Sequence, residues 1–357
     1  RPPAALRGLD LRGIDAFIRE SFDDCLFLSC DLAPDQAAHL TRTGATVLID
    51  DRSRPYAAHR TRLYSPEELF AGFDPDLPDD VAGYAATFDA TVYRHVAATG
   101  GAQPPSIAES LAQRLHDHSI SDALEDALAG QRPVAIMGGH GLLRASAQYA
   151  AVARLARTLT RDGYLVLSGG GPGAMEASHL GAWMATYPDE DLDAALDMLG
   201  RRPVGSPPDR EYEDHDWLHR AWEVRRRWPD GARNPSIGIP TWVYGHEPPA
   251  AFAGRVAKYF ANSVREEGLL AVATYGVVFT PGSAGTVQEI FQDAAQNHYA
   301  SFGAPSPMVL LGVEHWTETL PVWPLLDALA ADRPYRDLIV LTDDLDEATA
   351  AIRNHTR

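Results

Sequence analysis

From residue 133 onward, apolar residues alternate between short continuous runs and longer helical patterns. Continuous runs of this length are typical of buried parallel strands. The predicted strands cover 134–137, 164–168, 236–239 with a continuation to 244, 276–280, 308–311 and 338–341. After the first of them, Ala147, Ala151, Leu155 and Leu159 recur along one face of a predicted helix. Strands and helices that alternate in this way predict an α/β protein with a doubly wound parallel sheet.

Residues 1–130 show a different pattern and predict a separate region in front of that sheet. Short strands are predicted over 25–29 and 45–49, and helices over 34–43, 107–115 and 120–128. This mixture indicates a small α/β or mixed accessory region, which we expect to be a lid or an oligomerisation unit. The predicted domains are 1–130 for this region and 131–357 for the sheet.

The net charge of the chain indicates which kinds of molecule it is expected to bind. The 357 residues include 49 acidic and 31 basic side chains, and the formal net charge is −18. A nucleic-acid-binding protein is expected to present a basic surface, so we predict no nucleic-acid partner. An anionic small molecule would have to be held by local N–H groups and arginines, because the overall field repels it.

Membrane, disulfide and metal signals are all weak. No stretch approaches the roughly 18 consecutive apolar residues of a membrane span, and no signal peptide is visible. We therefore expect no membrane partner and a cytoplasmic location. Cys25 and Cys30 would point to opposite faces of one strand segment, so we expect free thiols. His116, Asp117 and His118 have the composition of metal ligands, but they diverge on a helix, and we predict no metal site.

A glycine turn follows the predicted strand at 276–280 and opens a helix. It reads P-G-S-A-G-T-V-Q-E at 281–289. The first turn of a helix has N–H groups without partners and a positive dipole end, which suits a phosphate. The residues expected to bind that phosphate are Gly282, Ser283, Gly285 and Thr286. Glu289 lies one helical turn further in, so its carboxylate can face the same ligand.

A second glycine turn reads G-G-G-P-G-A-M-E-A at 169–177 and follows the predicted strand at 164–168. It is not a dinucleotide fingerprint, because Glu176 stands where the third glycine of G-x-G-x-x-G would be. One such turn alone is more often a tight connection without a ligand. Two of them in one α/β domain favour a phosphorylated small molecule as the ligand.

Both turns resemble motifs of one known family, the Lonely Guy (LOG) proteins. The turn at 169–177 is similar to their G-G-G-x-G-x-M-E-A motif, and the turn at 281–289 is similar to P-G-G-x-G-T-x-x-E. The order of the motifs also agrees, and the resemblance covers roughly 133–354. Ser283 replaces the second glycine of P-G-G, and Gln288 stands where many members have an acid. LOG proteins are phosphoribohydrolases with a Rossmann-like fold, often mislabelled lysine decarboxylases.

The resemblance implies a hydrolase that needs no cofactor. It would cleave the N-glycosidic bond of a nucleoside 5′-monophosphate to free base and ribose 5-phosphate. Glu289 matches the catalytic glutamate of the family, which would stabilise an oxocarbenium-like ribose or activate water. Arg265 matches a family arginine with a shift of one residue, and Glu266 replaces the lysine beside it. Lys258, on the same predicted helix over 252–266, is the alternative cation.

The resemblance also indicates where the nucleoside would lie. A third turn, G-G-H-G after the first predicted strand, takes the place of a family loop that touches the ligand. The expected nucleoside contacts are Gly138, Gly139, His140, Gly170, Gly171, Gly173, Met175 and Glu176. His140 could bond the base or phosphate, protonate the leaving group, or be only a solvated loop residue. Glu176 could bond ribose hydroxyls or only cap its helix.

Other functions fit parts of this pattern. A non-catalytic nucleotide or molybdenum-cofactor carrier could use the same fold, because fold does not determine function. Glu289 and Arg265 favour catalysis over carriage. A pyridoxal-phosphate decarboxylase needs a Schiff-base lysine, for which Lys258 is the one candidate. A structural or interaction protein fits only if the pocket is blocked. The charged insertion at 201–234 would be a solvated face or a cover over the nucleobase.

Aromatic residues beside the P-G motif favour self-association, and family members pair through the helices there. The aromatic residues are Phe252, Tyr259, Phe260, Phe291 and Tyr299. Exposed apolar surface of this kind usually marks an interface, so we expect a homodimer or a dimer of dimers with the pocket near the interface. In the alternative, residues 1–130 cover these helices within one chain.

Overall fold

The computed structural model describes residues 4–48, 51, 53–201, 211–214, 216–244 and 247–355. The strands of these residues are β1 Ala5–Arg7, β2 Leu26–Leu28, β3 Thr46–Leu48, β4 Pro133–Met137, β5 Leu165–Ser168, β6 Ser236–Gly238, β7 Arg255–Val256, β8 Val277–Phe279, β9 Met308–Leu311 and β10 Ile339–Thr342. Within the described residues, seven of them form a parallel sheet in the order β10-β9-β8-β4-β5-β6-β7. The predicted α/β class with a parallel sheet is confirmed.

Helices cover both faces of this sheet. The α-helices of the described residues are α1 Ala16–Arg19, α2 Pro34–Arg42, α3 Pro66–Leu69, α4 Asp79–Ala82, α5 Phe88–Ala98, α6 Ile107–Leu128, α7 Ala147–Arg161, α8 Ala174–Trp183, α9 Asp189–Leu199, α10 Trp217–Arg227, α11 Asn262–Val272, α12 Ala284–Tyr299, α13 Trp323–Ala330 and α14 Leu345–Arg353. Alternate residues of a strand point to opposite faces. Val134 and Ile136 of β4 accordingly pack in one core with α7 and α8, whereas Ala135 and Met137 pack in another with α11 and α12.

The chain adds strands to the sheet in two directions from β4. It first adds β5, β6 and β7 on one side, and then β8, β9 and β10 on the other. The strand order therefore reverses between β4 and β8. In doubly wound sheets, ligands bind in the crevice outside the carboxyl ends of the strands at such a switch point. The three glycine turns found in the sequence leave β4, β5 and β8 at this edge.

The residues before β4 pack in two places. Strands β1 to β3 form a small parallel sheet, and Phe17 and Phe27 lie in the separate core beneath it. Helix α6 instead packs against the large sheet, where the Asp117 carboxylate accepts hydrogen bonds from the backbone N–H groups of Phe260 and Ala261, each at 2.8 Å. The two helices predicted over 107–115 and 120–128 are one helix, α6, since no glycine or proline separates them.

The helix predicted over 252–266 is wrong for residues 252–261 and correct from Asn262 onward. Strand β7 pairs with β6 within this segment, and α11 begins only at Asn262. The segment from Val256 to Ala261 is buried at every position, which suits an extended interior segment and leaves no exposed face for a surface helix. Arg265 lies on α11 as expected, whereas Lys258 does not share that helix.

Most of the aromatic surface expected at a subunit interface is covered within the chain. Phe252, Tyr259 and Phe260 are buried, and the ring of His116 from α6 lies 4.8 Å from that of Phe260. This part of the dimer argument is wrong, because α6 contacts Tyr259 and Phe260, and Phe252 packs against Trp183 of α8. Tyr299 is 76% exposed. The homodimer stays a prediction.

Two further sequence expectations concern thiols and membrane spans. Cys25 and Cys30 are both free and buried. Among the residues that the structure describes, no helix combines the length and the apolar character needed to cross a membrane.

Candidate active site

A cavity of about 390 Å³ opens at the carboxyl edge of the sheet, at the switch point between β4 and β8. The predicted site residues that line it are Gly138, Gly139, His140, Gly170, Gly171, Met175, Arg265, Ser283, Gly285, Thr286 and Glu289. The structure thus brings residues from three glycine turns and from α11 and α12 around one space. Gly173, Glu176 and Gly282 were also predicted, but they are not part of this lining.

The turn before α12 has the form of an anion cradle. Ser283 precedes the first residue of α12, and both Ser283 and Gly285 are exposed. A Cβ added to Gly285 would meet no atom within 4 Å, so a ligand can approach its backbone. Gly282 has a different role, because a Cβ there would lie 2.1 Å from Thr286 Oγ1. Gly282 therefore lets Thr286 pack under the turn.

The G-G-G turn requires glycine for close backbone contacts. Gly170 has φ +70°, and a Cβ there would lie 2.9 Å from the Ile239 nitrogen. Gly173 has φ +69°, and a Cβ there would lie 2.4 Å from the Gly139 carbonyl oxygen. Both positions favour glycine for conformational and steric reasons. Gly173 therefore joins the turns after β4 and β5 and does not face the ligand space.

Glu289 and Arg265 meet at the inner end of the cavity. They are 9% and 8% exposed, and Arg265 Nη1 lies 3.7 Å from Glu289 Oε1. Arg265 is held in place by its Nε, which donates to the Ile239 carbonyl oxygen at 2.8 Å. Burial raises the pKa of Glu289 to about 7, and the nearby Arg265 charge opposes this shift. A carboxyl group in a cleft with a pKa near neutrality is a candidate for proton transfer.

Glu176 lies beneath the G-G-G turn and outside the cavity. It is completely buried, and its two oxygens accept hydrogen bonds from Arg144 Nε and Nη2 at 2.8 and 2.5 Å. The Tyr149 hydroxyl donates a third hydrogen bond at 2.9 Å. The carboxylate is buried and does not line the cavity, and its partners are Arg144 and Tyr149, so it does not cap its own helix as the alternative expected.

Lys258 is also outside the cavity. Its ammonium group forms a buried ion pair with Asp89 of α5, at 2.5 Å, and the indole N–H of Trp242 donates to the same carboxylate at 3.1 Å. Burial lowers the pKa of Lys258. A lysine enclosed in this way does not face the glycine turns, so the decarboxylase alternative loses its Schiff-base candidate.

Several lining residues were not predicted from the sequence. They are Gly169, Pro240, Thr241, Tyr244, Glu247 and Glu266. Three of them follow β6 within a few residues, and the rule that parallel strands present their carboxyl ends at one edge could have found Pro240 and Thr241. Gly169 makes room for arginine, since a Cβ there would lie 2.2 Å from Arg265 Nη2.

His116 and His118 of α6 do not line the cavity, and neither does the described part of the insertion at 201–234. His116 is buried and its Nε2 lies 2.8 Å from the Tyr64 hydroxyl. Among the described residues, no group of three or more His, Cys, Asp and Glu side chains could hold a metal ion. Of the insertion at 201–234, residues 202–210 and 215 lie outside the described residues. The described part includes α10.

No protein-family model matches the chain, and no curated protein matches it either. The structure is similar to that of the molybdenum cofactor binding protein from the phototrophic bacterium Rippkaea orientalis, with 14% identity and a TM-score of 0.39 over 62% of this chain and 96% of the other. It is also similar to the Moco carrier protein from Chlamydomonas reinhardtii, with 17% identity and a TM-score of 0.38 over the same shares. Values this low say nothing about ligand or activity.

Proposed function

We propose that this protein hydrolyses the N-glycosidic bond of a nucleoside 5′-monophosphate, releasing free base and ribose 5-phosphate. One observation carries the proposal. The buried carboxyl group of Glu289 shares a cavity with the open N-terminus of α12, which lies about one helical turn away on the same helix. This combination fits a ligand with a phosphate at one end and a reacting carbon close to it.

The phosphate would bind at Ser283, Gly285 and Thr286. The first N–H groups of a helix have no partner within the helix, and they carry the positive end of its dipole. Such a site supplies local attraction to an anion, which a chain with a net charge of −18 needs. Fixing the phosphate would place ribose C1′ relative to Glu289 and reduce the entropy that is lost on reaching the transition state.

Glu289 would act on the ribose. Breaking the bond between C1′ and the base builds positive charge on the sugar, which an ionised carboxylate stabilises. The same carboxylate can take the proton of the attacking water. Arg265 would orient Glu289 through the 3.7 Å contact and offer its other donors to ribose or phosphate oxygens.

The second candidate is a non-catalytic nucleotide or molybdenum-cofactor carrier. One observation favours it. Because burial raises the pKa of Glu289 to about 7, this carboxyl group is partly protonated at neutral pH. A neutral carboxyl group donates a hydrogen bond to a bound ligand and does not stabilise a cation. A carrier would use the same phosphate cradle without requiring an ionised Glu289.

A panel of nucleoside 5′-monophosphates tests the proposal. Purified protein, without added metal or pyridoxal phosphate, should release free base from at least one of them, measured by chromatography. The matching nucleoside, which lacks the phosphate, is the control and should react far more slowly because it cannot use the cradle at α12. Tight binding of a nucleotide with no release of base across the panel would favour the carrier.

A further inference from the structure

Hydrolysis of a nucleotide needs a proton for the departing base. The base leaves with the electron pair of the glycosidic bond, and a general acid that neutralises it can accelerate this step by about 10² to 10⁴. Glu289 would be engaged with the ribose and the water, so a second group has to serve the base. This inference rests on the proposed function.

The cavity lining offers few groups for this task. Both Glu266 oxygens already accept hydrogen bonds, from Asn262 Nδ2 at 2.7 Å and from Gln288 Nε2 at 3.1 Å. A guanidinium group such as that of arginine does not serve as a general acid. Imidazole is the side chain that gains and loses a proton near neutral pH, and His140 is the histidine in the lining.

His140 is paired with a carboxylate across the mouth of the cavity. Its Nδ1 lies 3.5 Å from Glu247 Oε1, and the two side chains are 52% and 15% exposed. Its ring also meets the Tyr212 ring edge-on, with 6.3 Å between the centroids. A carboxylate beside Nδ1 orients the ring and leaves Nε2 to meet a ligand. The exposed side of the ring allows solvent to return the proton after each turnover.

The backbone around this pair is fixed by close contacts. A Cβ on Gly173 would lie 2.6 Å from the carbonyl oxygen of His140, so the G-G-G turn packs directly against the histidine backbone. A Cβ on Gly171 would lie 3.4 Å from Glu247 Oε2, which places the carboxylate beside the same turn. Two separate loops therefore bring the imidazole and its carboxylate to the wall of one cavity, which Glu289 also lines.

The geometry points to His140 as the general acid for the leaving base, with Glu247 as its positioning residue. His140 Nε2 gives its proton to the base as the bond between C1′ and the base nitrogen breaks, and the electron pair goes to the base. Water forms the new bond between its oxygen and C1′ and gives a proton to Glu289. Solvent then removes the proton from Glu289 and returns one to His140.

Leaving-group dependence tests this assignment. The probes are the best nucleoside 5′-monophosphate and 4-nitrophenyl β-ribofuranoside 5-phosphate, whose phenolate leaves without a proton. His140→Ala should lower kcat for the nucleotide by about 100-fold and leave kcat for the nitrophenyl compound within about threefold. Glu247→Gln should show the same selectivity with a smaller loss. Retained activity on the nitrophenyl compound also shows that each variant is folded.

His118→Ala is the matched control, because the exposed side chain of His118 on α6 pairs with Asp122 at 3.8 Å and its loss should leave both rates unchanged. Equal losses on both substrates for His140→Ala would overturn the general-acid role, since they would indicate a structural effect. If the unaltered protein hydrolyses neither substrate, the proposed function fails together with this inference.

Discussion

Two glutamates occupy similar places in this fold and have different surroundings. Glu176 and Glu289 each follow a glycine turn that leaves a parallel strand, and each lies in the first turns of a helix, α8 or α12. Both side chains are buried. From the two motifs alone, either could be a ligand contact, and both were predicted to be in the site.

The two glutamates differ in the side chains that contact their carboxylates. Arg144 and Tyr149 satisfy both oxygens of Glu176 at distances of 2.5 to 2.9 Å. Glu289 has its arginine, Arg265, at 3.7 Å, and it borders the cavity. The comparison teaches that a glycine-turn motif places the backbone of a glutamate, whereas the surrounding side chains decide whether the carboxylate is structural or available to a ligand.

The largest expected effect is on turnover in Glu289→Gln. The change keeps size and hydrogen bonding but removes the charge that stabilises the oxocarbenium-like ribose, so kcat should fall roughly a thousandfold. Nucleotide affinity, measured by calorimetry, should change little because the α12 cradle is intact. Near-normal turnover in this variant would remove Glu289 from the mechanism.

Glu176→Gln should instead affect stability. It leaves the buried Arg144 guanidinium without its ion-pair partner, and the loss of one partner of such a pair costs about 3 kcal/mol. Urea unfolding would measure this loss. The folded fraction should retain its turnover, since Glu176 lies outside the cavity. A variant of unchanged stability and lost turnover would reverse the assignment of the two glutamates.

The pH dependence of stability distinguishes the carboxyl groups further. Burial raises the pKa of Glu289 to about 7 from a usual value of 4.5, so the folded state keeps a proton that the unfolded state releases. Its contribution to stability is full below the unfolded pKa and is lost as the pH rises through about 7.

From about pH 5 to about pH 8, wild-type protein should therefore lose about 2 to 3 kcal/mol of unfolding free energy relative to Glu289→Gln. Asp293, whose pKa burial raises to about 8, is common to both proteins and cancels in the difference. Urea titrations at each pH measure the effect. A difference that does not change with pH would show that Glu289 is ionised at the same pH in both states.

The smallest effect on catalysis is expected for the removal of Arg265 on α11. Arg265→Ala removes a charge-assisted donor beside Glu289 and should lower kcat/KM by about 30-fold. Arg255→Ala is the matched control, since Arg255 is exposed on β7 and lies outside the cavity lining. Steady-state kinetics on the same nucleotide check both variants. Equal losses of kcat/KM in the two variants would show that Arg265 contributes only to the overall positive charge of the protein and not to a specific contact in the site.

The sheet could be predicted from the sequence because its strands are continuous apolar runs. The observed β4 and β9 correspond closely to the runs at 134–137 and 308–311. The helix prediction for 252–266 failed because it relied on the local apolar pattern alone. The apolar residues of this segment were assigned to a helix, whereas pairing with β6 and cover from α6 make the part before Asn262 an interior strand and loop. Local pattern does not reveal such long-range partners.

The glycine turns allowed much of the cavity lining to be predicted, because glycine marks close backbone approach. The sequence could not separate Gly173, which touches the Gly139 carbonyl oxygen, from Gly171, which lines the cavity. It also did not reveal Glu247, which comes from a loop without a motif and meets His140 only in three dimensions. The sequence does not show which side chains from distant parts of the chain contact each other, and the assignment of these residues depends on those contacts.

A single-turnover experiment tests the central claim most directly. Excess protein is mixed with the best 5′-monophosphate, and the reaction is then quenched by denaturing the protein. The free base, ribose 5-phosphate and intact nucleotide are quantified by mass spectrometry. If the protein hydrolyses the bond at C1′, it should yield equal amounts of base and ribose 5-phosphate and leave little nucleotide. The parallel Glu289→Gln sample should retain intact nucleotide. Recovery of intact nucleotide from both proteins would contradict the account.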